Sequence, residues 1–306
     1  MSPSTRSLSI AIIGVGRIGS SFAYQLAGAG HDVTVVARPG SRRLAQLERD
    51  GGIVLTTGER ALVTSADHLD AQKAYDLVIV TVNAHQVDAV LPALRTSRAK
   101  AIQFMFITPE AARLKAAVGA DRTTFGFAGV LAVLRDDGKL DLQIPKRSPK
   151  ALHGDQRWAD LFEAAGMPSK LEPHIERRLR AFAPMTISME AVAISGMQHK
   201  RGATWAEARV GARGVKSAYA ILRELGDAPY RGIPSQMSRA PLPIATLMLW
   251  GISRARFREA IGTSQEECRG LVDLLVDEAR QGGADSANIN RVLAMRPKRE
   301  ETLAAA

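Results

Sequence analysis

Ile10-Ala-Ile-Ile-Gly14-Val-Gly16-Arg-Ile-Gly19, followed by the segment Ser20–Gly28 and then by Asp32-Val-Thr-Val-Val-Ala-Arg38, decides how this chain is read. Ile10–Ile13 is a short continuous apolar run of buried-strand length, and Phe22 and Leu26 recur at helical spacing before Gly30 supplies a stop. With Val33–Val36 as a second strand, the stretch predicts a β-α-β unit whose turn is rich in glycine. Each glycine has a physical task. Gly14 permits a tight turn off the strand, Gly16 lets the backbone approach a pyrophosphate, and Gly19 lets the helix pack closely. The helix N-terminus offers free N–H groups to the anion. Gly14, Val15, Gly16, Arg17, Ile18 and Gly19 are therefore the candidate cofactor loop.

The end of the second strand bears on which dinucleotide is held. An NAD site places an acid there for the ribose 2′-OH. This chain has Arg38, then Arg42 and Arg43, with no acid until Glu48. A carboxylate repels a 2′-phosphate, whereas a guanidinium pairs with it through two parallel hydrogen bonds. The expectation is NADPH on Arg38, with at least one of Arg42 and Arg43 on the solvated face of the next helix.

Composition removes several classes. The 306 residues suffice for two domains. A single cysteine, Cys268, excludes an intrachain disulfide and any CxxC scheme. No histidines share HxxxH spacing, so no metal site is expected. Residues 1–9 lack the apolar core of a secretory signal, and no apolar run reaches the roughly 20 residues that span a bilayer. These features predict a cytoplasmic protein without membrane partners. Leu242–Ile252, the most apolar stretch, reads as a buried helix, or as a homodimer surface if exposed. The net charge of +10 is scattered along the chain without zinc-finger or aromatic RNA-binding patterns. It suits an anionic cofactor and an acidic substrate better than nucleic acid.

Strand and helix signals alternate through the first half. Asp76–Val82 and Ala101–Ile107 read as inner strands, and Val87–Leu94 as helical. Thr108 reads as the cap of a helix running to Val118 with Pro109 at its first position. A turn at Asp136-Asp137-Gly138 joins two further strands. From Glu172 onward helical segments follow one another: Ile175–Ile194 interrupted by Pro184, Thr204–Leu225, Leu242–Arg258, Ser264–Gln281 and a short turn at Asn288–Leu293. Arg296–Ala306 reads as a frayed tail. The expected fold is α/β: a Rossmann-type doubly wound parallel sheet over residues 1–170, then an all-helical domain over 171–306.

Over nearly its full length the chain resembles the ketopantoate reductase family of NADPH-dependent 2-oxoacid reductases. The motifs are Gly14–Gly19, His31-Asp-Val-Thr-Val-Val-Ala-Arg38, Val80-Thr-Val-Asn-Ala-His-Gln86, Arg135-Asp-Asp-Gly138 and a last long helix bearing Glu266. The resemblance implies that Arg38 holds the 2′-phosphate and that Val82 and Asn83 join the cofactor set. It also exposes departures. The family's lysine after the fourth strand is Asn83 here, and its asparagine near the nicotinamide aligns with Phe106. Its catalytic lysine falls on Ala181, and two substrate-binding asparagines fall on Met185 and Met189. Only its late acid has a counterpart, Glu266, with Glu267 as the register alternative.

An alanine methyl neither donates a proton to a developing alkoxide nor pairs with a carboxylate. Two methionines make a pocket apolar and adaptable. The candidate catalytic residues are then Glu190, inside the apolar stretch Met185–Met197, Arg180, beside the lost lysine, and Glu266. Two of them have plain alternatives: a core carboxylate for Glu190, a solvated helix face for Arg180. The leading reading is an NADPH-dependent reductase of a small-molecule carbonyl, 2-oxoacid-like or less polar and bulkier at the reacting end, held in an interdomain cleft. An opine- or imine-type reductase and a catalytically inactive NADP(H)-binding sensor are the alternatives.

Overall fold

The Ile10 run forms the strand at which the sheet changes direction. In the computed structural model, which describes residues 6–144, 151–199, 201–227, 230, 232–255 and 265–298, β1 (Ser9–Ile13) is followed by α1 (Arg17–Gly28) and β2 (Asp32–Val36). Ile10, Ala11 and Ile12 are fully buried, as a strand covered on both faces must be. Next come α2 (Arg42–Asp50), the hairpin of β3 (Gly52–Val54) and β4 (Arg60–Leu62), and β5 (Thr64–Ala66). The other side of the sheet is built by β6 (Leu77–Val80), α3 (Leu91–Thr96), β7 (Ile102–Phe104), α4 (Ala111–Val118) and β8 (Thr123–Phe127). A second hairpin, β9 (Leu131–Leu134) with β10 (Leu140–Gln143), precedes β11 (Ala151–His153), α5 (Gln156–Ala164) and β12 (Ser169–Leu171).

The eight-stranded sheet has the order β12-β11-β8-β7-β6-β1-β2-β5. Every pairing is parallel except β11 with β8. Ile10 and Ile12 face Val33 and Val35 of β2 on one side and Leu77 and Ile79 of β6 on the other. From β1 the chain builds outward through β2 and β5, then returns to β6 and builds the other way. Such a switch opens a crevice at the carboxyl ends of β1 and β6, where ligands of this architecture bind.

Helices follow: α6 (Ile175–Gln198), α7 (Trp205–Glu224), α8 (Ile233–Arg239), α9 (Leu242–Ile252), α10 (Gln265–Gln281) and α11 (Ser286–Leu293). A capping box between Thr204 and Glu207 starts α7. The chain divides into two compact units, Met1–Phe106 with Glu110–Glu176, and Ile107–Pro109 with Arg177–Ala306.

Several details depart from the sequence reading. Pro184 does not interrupt its helix: α6 runs unbroken through it. Proline removes one helical hydrogen bond, but Ala183, Pro184, Ile187 and Ser188 are all buried, and that packing holds the helix together. Thr108 does not cap α4, whose first residue is Ala111 with Glu110 at the N-cap. The segment expected to be helical from Val87 begins as a 3-10 turn at Ala84–Ala89. The strands β5, β11 and β12 and the helices α5 and α8 are too short or too polar to have stood out. α9 is not buried throughout: Ile244, Leu247 and Met248 are exposed. Lys200, residues 256–258 of the expected Leu242–Arg258 helix and most of the expected tail lie outside the described residues. Among the described residues no helix is long and apolar enough to cross a membrane.

Candidate functional site

The crevice at the ends of β1 and β6 gathers most of the predicted cofactor residues, and each glycine of the loop has a distinct reason to be glycine. Gly14 lies at φ 92°, and a Cβ there would meet the Val82 backbone nitrogen at 2.8 Å. Its N–H donates to the Val36 carbonyl at 3.2 Å, tying the turn to the end of β2. Gly19 would place a Cβ 2.0 Å from the Gly14 carbonyl oxygen and 2.6 Å from Thr81 Oγ1. The close approach that Gly19 permits is therefore between α1 and its own loop together with the end of β6. Gly16 differs from both. It is the N-cap of α1 with extended backbone (φ −75°, ψ −162°), and no atom lies within 4 Å of a Cβ built on it. Nothing in the fold requires glycine at 16. Open space at a helix N-terminus fits a pyrophosphate lying against the backbone there.

Val15 is buried, Arg17 and Ile18 are half-buried, and Ile18 packs against the core of the sheet. Val82 and Asn83 follow β6 directly, with Asn83 at the N-cap of the 3-10 turn and its side chain not used in capping. Thr81, which the sequence reading passed over, fastens the two halves: its N–H donates to Ile13 O at 2.9 Å and its hydroxyl donates to Gly14 O. Only its position one residue past an apolar run hinted at this.

The arginines after β2 divide in a way the sequence does not show. Arg38 is exposed at the end of the strand, and among the described residues nothing hydrogen-bonds or ion-pairs with its guanidinium. Arg42 lies on the exposed face of its helix, as expected for one of the pair, whereas Arg43 is half-buried. Arg42 donates to the Asp136 carbonyl. Arg43 donates from Nε to Val15 O (3.1 Å), from Nη1 to Gly138 O (2.9 Å) and from Nη2 to Ser20 Oγ (2.9 Å). It thus ties the glycine loop to the turn of the β9–β10 hairpin. Burial lowers its pKa to about 10, a pull partly opposed by Asp50, so it stays a cation behind the loop at neutral pH.

Among the described residues, the bonds that Arg180 makes reach neither Glu190 nor Glu266. Arg180 donates from Nε to Asp227 at 2.6 Å and from Nη1 to the Pro109 carbonyl at 3.2 Å, and it grips Glu278 through Nη1 and Nη2 at 3.0 and 2.8 Å. Burial disfavours its charge, but the bonds to Glu278 and Asp227 outweigh that and raise its pKa. It is a clamp across α6, α10 and the end of α7, not a solvated helix face. Glu190 is 5% exposed, and its charge, after burial itself, helps to push the thiol of buried Cys268 upward. It therefore sits toward α10 in the core. Glu266 is exposed in the first turn of α10. Ala181, Met185 and Met189 are half-buried at four-residue spacing, which places them along one stripe of α6.

Residues 10–143 match the family profile described as ketopantoate reductase PanE/ApbA. This stretch resembles a ketopantoate reductase PanE/ApbA domain. No curated protein sequence matches the chain. Solved structures extend the likeness to the whole fold. A Bacillus subtilis protein described as a probable 2-dehydropantoate 2-reductase panE is 21% identical, covering 94% of this chain and 99% of its own, with a TM-score of 0.66. A dimeric ketopantoate reductase from Staphylococcus aureus is 14% identical (94% and 98% covered, TM-score 0.65). A D-mandelate dehydrogenase, solved with NADH and anilino(oxo)acetate, is 12% identical (94% and 96% covered, TM-score 0.65). At these identities the structures establish a shared fold and nothing finer.

Proposed function

We propose that the chain is an NADPH-dependent oxidoreductase that reduces a small-molecule carbonyl, one less polar or bulkier than ketopantoate. The observation that carries this reading is the pairing of Gly16 with Arg38. Gly16 leaves an open backbone site at the α1 N-terminus, and Arg38 presents an unengaged guanidinium at the end of the neighbouring strand. The first suits a pyrophosphate and the second a 2′-phosphate. Gly14, Val15, Gly16, Arg17, Ile18 and Gly19 would hold the diphosphate, with Val82 and Asn83 bordering the same crevice. When bound, the cofactor supplies a hydride. Arg43 stays cationic behind the loop, which favours anion binding in front of it.

Arg180 is a poor general acid because a guanidinium stays protonated, and it is already engaged by two carboxylates. Glu190 is a core acid beside Cys268 and Glu266 is exposed. A carbonyl reductase would then draw its proton from water, and an imine substrate would bring its own. The same observations favour a second reading, an NADP(H)-binding sensor without turnover. Tight NADPH binding with no oxidation across a carbonyl and imine panel separates the two. The exposed α9 face, with Ile244, Leu247 and Met248, supports a homodimer in either case.

Titration of NADPH and NADH into wild type and Arg38→Ala tests the proposal. Loss of a charge-assisted contact costs about 1.5–3 kcal/mol, roughly tenfold to 150-fold in Kd for NADPH, with little change for NADH. Equal losses for both nucleotides, or no binding to the wild type, would overturn it.

A further inference from the structure

Within the helical unit, α6, α7 and α8 line a pocket whose positive charge is not balanced by its own acids. Four arginines reach it: Arg177 and Arg180 from α6, Arg223 from α7 and Arg239 from α8. Arg180 is neutralised by Asp227, the acid in the lining, and by Glu278. Arg177, Arg223 and Arg239 are exposed, and among the described residues no hydrogen bond or ion pair engages any of them. A lone arginine in water needs no explanation. Three that border one concavity, with its carboxylate already committed, leave a cluster of donors with nothing to donate to.

A second observation points the same way. Tyr219 lines this pocket and is only 7% exposed, yet among the described residues its hydroxyl has no hydrogen-bond partner. Buried polar groups are paired in the great majority of cases, and a hydroxyl without a partner marks a place where an acceptor is missing. Burial raises the pKa of this phenol, so it remains protonated and able to donate. Leu222, Tyr230 and Pro234 add apolar wall beside these donors.

We propose that this pocket binds a compound carrying a doubly negative group, a phosphate monoester or a pair of carboxylates, on Arg177, Arg223 and Arg239, with the Tyr219 hydroxyl as an additional donor. Two negative charges suit three guanidinia better than one does, because each guanidinium offers a planar fork to an oxyanion. The apolar wall takes the carbon skeleton. Ala181 lines the same pocket.

The test is calorimetric titration of the full chain, free of nucleotide and at low ionic strength, with inorganic phosphate and with malonate. The variants are Arg223→Ala, Arg239→Ala, Tyr219→Phe and, as a control at the other anion site, Arg38→Ala. Saturable binding of at least one probe is expected, weakened at least tenfold by either pocket arginine variant and severalfold by Tyr219→Phe, and unchanged in Arg38→Ala. Phosphate binding alone assigns the monoester, and malonate binding alone assigns paired carboxylates. No saturable binding of either probe overturns the proposal. Phosphate binding that survives the pocket variants but is lost in Arg38→Ala overturns it equally, by placing the anion at the glycine loop. A parallel NADPH titration keeps the two ideas apart: a wild type that binds malonate but no NADPH refutes the reductase and leaves the pocket standing.

Discussion

Replacing Gly16 by alanine separates the work of the glycine loop in folding from its work in binding. The backbone at Gly16 is extended, so alanine adopts it without strain, and its methyl group meets no atom within 4 Å. Removing glycine flexibility from the unfolded chain stabilises by about 0.4–1 kcal/mol at a compatible site. Alanine is a poorer N-cap than glycine by a similar amount, on the order of 0.5–1 kcal/mol. The two effects offset, and the melting temperature should move by less than about 4 °C. Binding should respond otherwise. The methyl occupies the space a pyrophosphate needs to reach the N–H groups at the start of α1, and losing such charge-assisted bonds costs about 1.5–3 kcal/mol. Fluorescence titration should therefore show NADPH binding weakened by roughly tenfold to 150-fold in a protein that still melts normally. Gly19→Ala is the contrast, since its Cβ would lie 2.0 Å from the Gly14 carbonyl oxygen and should damage the fold itself. Undiminished NADPH affinity in a well-folded Gly16→Ala protein would refute the assignment of the loop as the cofactor site.

Two further outcomes can be measured independently. His153 is fully buried with its Nδ1 against Gln103 Nε2 at 3.0 Å, and burial lowers its pKa from the ordinary 6.5 to about 3. The unfolded chain takes up the proton first, so the stability tied to neutral His153 is whole above about pH 6.5 and is lost as pH falls toward 3. Between pH 7 and 5 the loss is about 2 kcal/mol, and denaturant unfolding should show that much less pH dependence in His153→Gln; an equal slope in both proteins would count against it. If a second copy covers α9, Leu247→Glu should convert a dimer to a monomer in sedimentation velocity at micromolar concentration, whereas a wild type already monomeric there sinks the idea.

The glycine loop was legible because its information is local. Strand periodicity, helix periodicity and the three glycines all lie within residues 10–38, and the positive φ of Gly14 follows from the tight turn off β1. The turn at Asp136–Gly138 was equally readable, with Gly138 at φ 92° and its N–H bonded to Arg135 O at 2.9 Å. The antiparallel addition of β11 to β8 was not, since a three-residue strand has no period to detect and owes its place to a neighbouring edge. Pro184 misled for a related reason: its local cost of about 3 kcal/mol is real, but the packing that outweighs it comes from side chains distant in sequence.

The sequence by itself determined the α/β class, the switch from a sheet to helices and the residues of the glycine loop, because each follows from short-range periodicity or from backbone conformation. Tertiary structure alone decided what each arginine does. Arg38, Arg42, Arg43 and Arg180 are the same side chain in the sequence, yet Arg38 is left exposed while Arg42 and Arg43 hold carbonyls 94 and 95 residues away. Arg180 grips Glu278, 98 residues on. A long flexible cation takes its role from whichever oxygens the fold brings within about 3 Å of it, and only the closing of the chain fixes which those are.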